Sequence, residues 1–156
     1  MNKRYSDKRF RFLTGYYGLL QTFHLLLLTR AGWFLIQNRE LPFPAPPPPG
    51  GWSLTALPFL MGMGVVDGFA IILGLLFAYH YFQKQIVKTI LGLISLTAGL
   101  SSGVVYLVGT LPSGAWRAHP LAYLAVVILF SPLVPLFASL VKEAGLIRQD
   151  PETSLD

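Results

Sequence analysis

Four apolar stretches, set apart by short polar, proline or glycine segments, organise this chain. They run from Phe12 to Phe34, Leu57 to Phe82, Ile86 to Leu111 and Leu121 to Val141. Each supplies the roughly 20 helical residues needed to cross a hydrocarbon layer about 30 Å thick. Their apolar residues cover nearly all sides of a helix instead of one stripe, as expected where lipid and neighbouring helices together surround a segment. The pattern predicts an all-α fold, a polytopic bundle of four transmembrane helices, in one domain spanning residues 1–156. A Pro-rich outer loop is expected over 37–56.

Composition sharpens this picture. Hydrophobic residues make up 53% of the 156 positions and charged ones only 12%, about half the charged fraction of soluble domains. Mean hydropathy is +0.56. The net charge of +5 does not point to nucleic acid, because the basic residues flank apolar segments instead of clustering on a polar face. With no cysteine in the chain, disulfides, thiolate metal sites and cysteine nucleophiles are excluded. The basic opening MNKRYSDKRFRF resembles a signal sequence, but the apolar stretch behind it is long and lacks a small-residue cleavage site. A retained first helix is expected.

Positive charge sets the expected orientation. Lys3, Arg4, Lys8, Arg9, Arg11, Lys84, Lys88, Lys142 and Arg148 fall on one side, against Arg39 and Arg117 on the other. Cytoplasmic flanks accumulate Lys and Arg, so both termini are expected in the cytoplasm. Trp33, Trp52 and Trp116 fall at the outer boundary and Tyr79 and Tyr81 at the inner, consistent with interfacial aromatic belts. A bacterial or archaeal inner membrane is the expected location.

Residues 41–51, LPFPAPPPPGG, predict a stiff polyproline II spacer released by Gly-Gly. The turns FQKQ and PSGAWRAHP look like simple connectors. In the spans, Gly64 and Gly68, Gly74 and Ala78, and the series Ser95, Gly99 and Gly103 are spaced to let helix backbones approach. They predict tight packing of spans two and three. In the fourth span, FSPLVPLF, Pro132 and Pro135 deprive the carbonyls of Ile128 and Ser131 of their usual donors, which predicts a bend there. The freed carbonyls and Ser131 could line a polar pocket.

Ionisable residues inside the bilayer are the candidates for function. A charge at mid-membrane costs about 2.5–3.5 kcal/mol on insertion scales. Asp67 lies roughly 21 Å from the inner boundary, His24 near 18 Å and Arg30 near 27 Å, at about 1.5 Å per residue. His24 and Arg30 are about 120° apart around their helix, so they do not both face Asp67. Tyr17, Gln21 and His24 share one face, making His24 the favoured partner of Asp67, with Arg30 snorkelling to headgroups. His24, His80 and His119 lie at different depths, which excludes a bis-histidine haem within the chain and leaves no zinc or di-iron set. No cofactor or metal is expected. Phosphate loops, nucleophile elbows and paired catalytic carboxylates are missing too.

The segment VVDGFAIIL behind a long outer loop, and the Pro-containing LFSPLVPLF, give a layout similar to the EXPERA group of four-helix proteins, which includes emopamil-binding sterol isomerases and sigma-2 receptors. That resemblance implies a lipid-facing pocket in which Asp67 polarises or binds an amphipathic ligand. The chain departs from it at the end of the first span, which carries Arg30 and no second acid. With little mass outside the membrane, the leading expectation is a non-catalytic accessory subunit or assembly factor, in contact with the lipid bilayer and with other membrane subunits or copies of itself. Sterol or lipid binding, with or without isomerisation, is the second reading, and a small oligomeric transporter using Asp67 the third. A reporter fused after Asp156 is expected on the cytoplasmic side, and an external signal would overturn the orientation.

Overall fold

The computed structural model describes residues 8–38, 46–83 and 88–147. Six helices account for nearly all of them: α1 (Lys8–Asn38), α2 (Ala56–Phe82), α3 (Lys88–Thr110), α4 (Ala115–Ala118), α5 (Pro120–Phe130) and α6 (Leu133–Ile147). Four stretches are long and apolar enough to cross a membrane, Lys8–Gln37, Ala56–Phe82, Thr89–Ser113 and Pro120–Gly145. The protein is therefore an all-α, multi-pass membrane protein. Its first helix starts four residues earlier than the apolar run suggests, because Lys8, Arg9 and Arg11 continue the helix beyond the hydrocarbon. The third helix is described from Lys88 on, and residues 84–87 lie outside the described residues.

Successive spans run antiparallel. Phe10 near the start of α1 meets Tyr81 near the end of α2, and Ser95 and Ser102 of α3 meet Ala70 and Asp67 of α2 in reverse order. The most extensive helix contact joins α2 to α3, as the small residues predict. The core lies towards the charged end of the bundle, where Leu13, Tyr17, Phe77, Tyr81, Leu96, Leu133, Leu136 and Leu140 bury one another.

Of the expected small residues, Gly74 and Ala78 stand at close contacts, beside Tyr17 and Ser95 and beside Gly18, while the others differ from the expectation. A methyl group on Gly92 would sit 2.8 Å from Leu140 and 2.9 Å from the Phe77 ring, one on Gly109 2.7 Å from Phe59, and one on Gly18 3.1 Å from the Ala78 methyl. Gly64 and Gly68 instead face Leu28 of α1 at ordinary distances of 3.5 and 3.7 Å. Gly99 lies beside Ala70 at 3.8 Å, and Gly103 meets nothing within 4 Å, so the Ser95–Gly99–Gly103 series turns away from the α2 contact towards its outer end.

The proline pair interrupts the fourth span. Pro132 has no N–H for the Ile128 carbonyl, and the Ser131 hydroxyl takes that place at 2.9 Å. The Ser131 carbonyl, which Pro135 cannot serve, accepts from the Val134 amide at 3.2 Å. Tyr16 of α1 donates to the Leu129 carbonyl at 2.7 Å, fastening the break to the bundle. At the expected bend the regular helix is broken for two residues, Ser131 and Pro132, between α5 and α6, with its carbonyls satisfied locally and by one tyrosine. Below it, α6 packs on α3 and α1. Above it, α5 meets the bundle through long side chains, and Tyr123 is its one buried residue.

The connector PSGAWRAHP is more than a simple link. Residues 111–113 form a 3-10 turn, Gly114 takes the left-handed conformation (φ 82°), and α4 follows. This arrangement stacks Trp116 on Tyr123 at 4.7 Å and Tyr123 on Tyr106 at 6.0 Å. The Pro-rich segment rests on this aromatic cap: His119 Nε2 lies 3.1 Å from the Pro47 carbonyl, and Tyr123 donates to that of Pro46 at 3.4 Å. Residues 41–45 lie outside the described residues. The Gly51 amide donates to the Pro48 carbonyl at 2.9 Å, and Gly50 (φ 92°) provides the positive φ that a type II turn requires after Pro49.

Gly74→Ala is expected to lower stability in detergent by about 1–3 kcal/mol through overpacking. Its methyl would meet Tyr17 Oη at 2.8 Å and Ser95 Oγ at 2.9 Å. Gly103→Ala, into open space, should leave the thermal midpoint unchanged.

Candidate functional site

The polar residues of α1 recur every three or four positions and so fall on its inward face. Thr14, Tyr17 and Gln21 are buried at 0, 0 and 3% exposure, and His24 is half-buried. Gly74 on α2 lacks the Cβ that would block this face, which lets Tyr17 reach through to α3. Ser95 donates to the Ala70 carbonyl at 2.6 Å. Its proton is thereby committed, so the 2.5 Å contact with Tyr17 Oη is a hydrogen bond donated by the tyrosine. One hydroxyl chain therefore joins α1, α3 and α2. The Gln21 stem lies against Gly74, while Gln21 Oε1 and Thr14 Oγ1, both buried, receive no hydrogen bond from the described residues.

One helical turn further out stands the acid. Asp67 points between α1 and α3, where Ser102 donates to its Oδ1 at 2.5 Å. His24 Nε2 lies 3.7 Å from its Oδ2, an electrostatic contact longer than a hydrogen bond. The His24 ring also meets Phe130 of α5 edge-on at 6.1 Å. The side chains of His24 and Asp67 keep 18% and 24% of their surface uncovered by this chain. An acid and an imidazole at this spacing can pass a proton through one intervening water, or share a hydrogen-bonding or cationic group placed between them.

Of the candidate residues, the structure brings Asp67 and His24 together and sets Gln21 a turn below them. Arg30 lies on an exposed face of α1. Ser131 is exposed as well, with its hydroxyl bonded to its own helix at Ile128, and so stands apart from Asp67. Ser95 is a hydrogen-bonding hub rather than a spacer. Ser102 was missed by sequence reasoning. Its signal was present in its spacing of seven from Ser95, two turns along one face of α3.

Comparison of the chain with family models, with curated proteins and with solved structures gives no match. The likeness to the EXPERA layout therefore rests on the two short motifs alone.

Ser102→Ala removes a donor to a carboxylate, and is expected to destabilise the protein by about 1.5–3 kcal/mol. Asp67→Asn can still accept from Ser102 and donate towards His24, so it should cost less than half as much. Unfolding of the two variants in matched detergent reads the difference.

Proposed function

We propose that this protein is a small, non-catalytic component of a larger membrane assembly, acting as an accessory subunit or assembly factor. The observation that carries this reading is the His24–Asp67 pair, held near mid-membrane yet incompletely covered by its own chain. Leaving part of an ionisable pair to hydrocarbon is costly. A small or polar helix face from a partner would remove that cost and add interhelical hydrogen bonds. The remaining chemistry supports a structural role: Ser102 occupies one oxygen of the carboxylate, and the Tyr17 hydroxyl system ends on a backbone carbonyl. The distribution of Lys and Arg favours cytoplasmic termini, and a bacterial or archaeal inner membrane is the location proposed with this reading.

A second reading, an amphipathic ligand at the same pair, draws on the outer half of the bundle. There the inward-facing His24, Asp67, Val126 and Phe130 are all half-buried, whereas Phe77 and Leu136 at the other end are fully buried. Such a ligand would place its polar group at Asp67 and its apolar body beneath α5.

A photoreactive residue at Met63, one turn from Asp67, separates the two. An accessory subunit should crosslink there to a single protein in a stoichiometric complex that survives mild detergent, and Asp67→Leu should abolish the crosslink. The same probe at Ile72, on the far face of α2, should give no such product. Purification as a monomer, with crosslinks only to co-extracted lipid, would overturn the subunit reading in favour of the ligand.

A further inference from the structure

We propose that the charged end of α1 holds an anionic glycerophospholipid in a built groove, separate from the His24–Asp67 pair. An open groove of about 510 Å³ runs along one face of α1 and is closed on one side by Phe82 of α2. Its lining changes character with depth. Lys8 and Arg11 stand at the mouth, and Phe12, Gly15 and Leu19 follow along the same helix face at spacings of three and four. No acidic side chain contributes to the lining. From Lys8 to Leu19 the face extends roughly 16 Å, of which the part from Phe12 to Leu19, roughly 10 Å, lies within the hydrocarbon and covers about two thirds of one leaflet.

This order of groups matches a phospholipid read from headgroup to tail. Two exposed cations three residues apart present their charges together at the level of the phosphates, where each basic side chain attracts an anionic lipid. Gly15 leaves the floor of the groove low, with the Phe82 ring 3.8 Å from where its Cβ would lie. Tyr16 forms a wall that cannot swing away, because its hydroxyl is bonded to the Leu129 carbonyl at the break in the fourth span. An acyl chain laid along Phe12, Gly15 and Leu19 would be flanked by the Tyr16 and Phe82 rings. A zwitterionic lipid would gain the same apolar contact but would bring its own cation close to Lys8 and Arg11, and charge complementarity therefore selects the anionic headgroup.

The test is native mass spectrometry of the full chain released from micelles, titrated with phosphatidylglycerol or with phosphatidylcholine of the same acyl chains. The expected result is one tightly retained phosphatidylglycerol per chain, preferred over phosphatidylcholine by about tenfold or more. The double variant Lys8→Gln and Arg11→Gln should bring that preference close to parity. Both changes are on an exposed helix end, where they leave the core untouched. Gly15→Leu, which fills the floor while keeping both cations, should weaken retention of phosphatidylglycerol at least severalfold, and glycerol phosphate without acyl chains should not compete. Equal retention of the two lipids by the natural sequence, or a preference undiminished in the double variant, would overturn the proposal. The lipid is read at Lys8, Arg11 and Gly15 and the subunit contact at Met63, on different helices, so failure here and failure of the subunit reading are told apart.

Discussion

The bundle depends on one hydrogen-bond chain. Tyr17 donates to Ser95, and Ser95 donates to the Ala70 carbonyl, so three helices are tied at one level by two bonds. In a membrane the hydrophobic effect does not hold helices against one another, and close packing with a few interhelical hydrogen bonds must do so instead. Gly74 makes the chain feasible by leaving room for the tyrosine hydroxyl. The large residues of the core, Phe77, Leu96, Leu136 and Leu140, gather around this level. Asp67 sits within two turns of it, with a position set by a scaffold already locked in register.

Packing is uneven along the membrane normal as a result. Glycines 18, 74 and 92 bring α1, α2, α3 and α6 close together at the charged end. At the end away from the charged residues Phe59 packs over Gly109, near the aromatic stack of Tyr106, Trp116 and Tyr123. Between these two zones lies the acid–imidazole pair, both members half-buried, beside the buried Ser102 and Ala70.

Much of the architecture was legible in the sequence, for a simple physical reason. Hydropathy and helix length are properties of single segments, and the four spans follow from them. The interruption near Pro132 was legible because proline acts on its own backbone. The meeting of His24 and Asp67 could be read from depth, since a fixed rise per residue and a known layer thickness leave few partners for a buried acid. The register between neighbouring helices was not legible. Periodicity states which residues share a face, not what stands opposite that face, so Gly64 and Gly68 were expected at a tight contact and instead meet Leu28. Ser102 went unnoticed because a lone serine is tolerated almost anywhere on a helix, and its bond to Asp67 exists only once α2 and α3 are aligned. The folding of PSGAWRAHP depends on an aromatic stack with Tyr123, a contact invisible to local turn chemistry.

The gap between α5 and α6 divides the fourth span into two mechanical elements. A continuous helix transmits a push along its axis like a rod, because each turn is bonded to the next. Here the ladder stops at Ser131 and restarts at Leu133, and the Tyr16 hydroxyl pins the carbonyl of Leu129 just above the gap. α5 is therefore tied near both ends, by the Tyr16 bond at Leu129 and by the stacked ring of Tyr123, while α6 lies in the core. The Phe130 ring of α5 meets His24, whereas Leu133, Leu136 and Leu140 of α6 lie in the core, so one half of the span borders the buried acid and the other half builds the packing that holds the bundle.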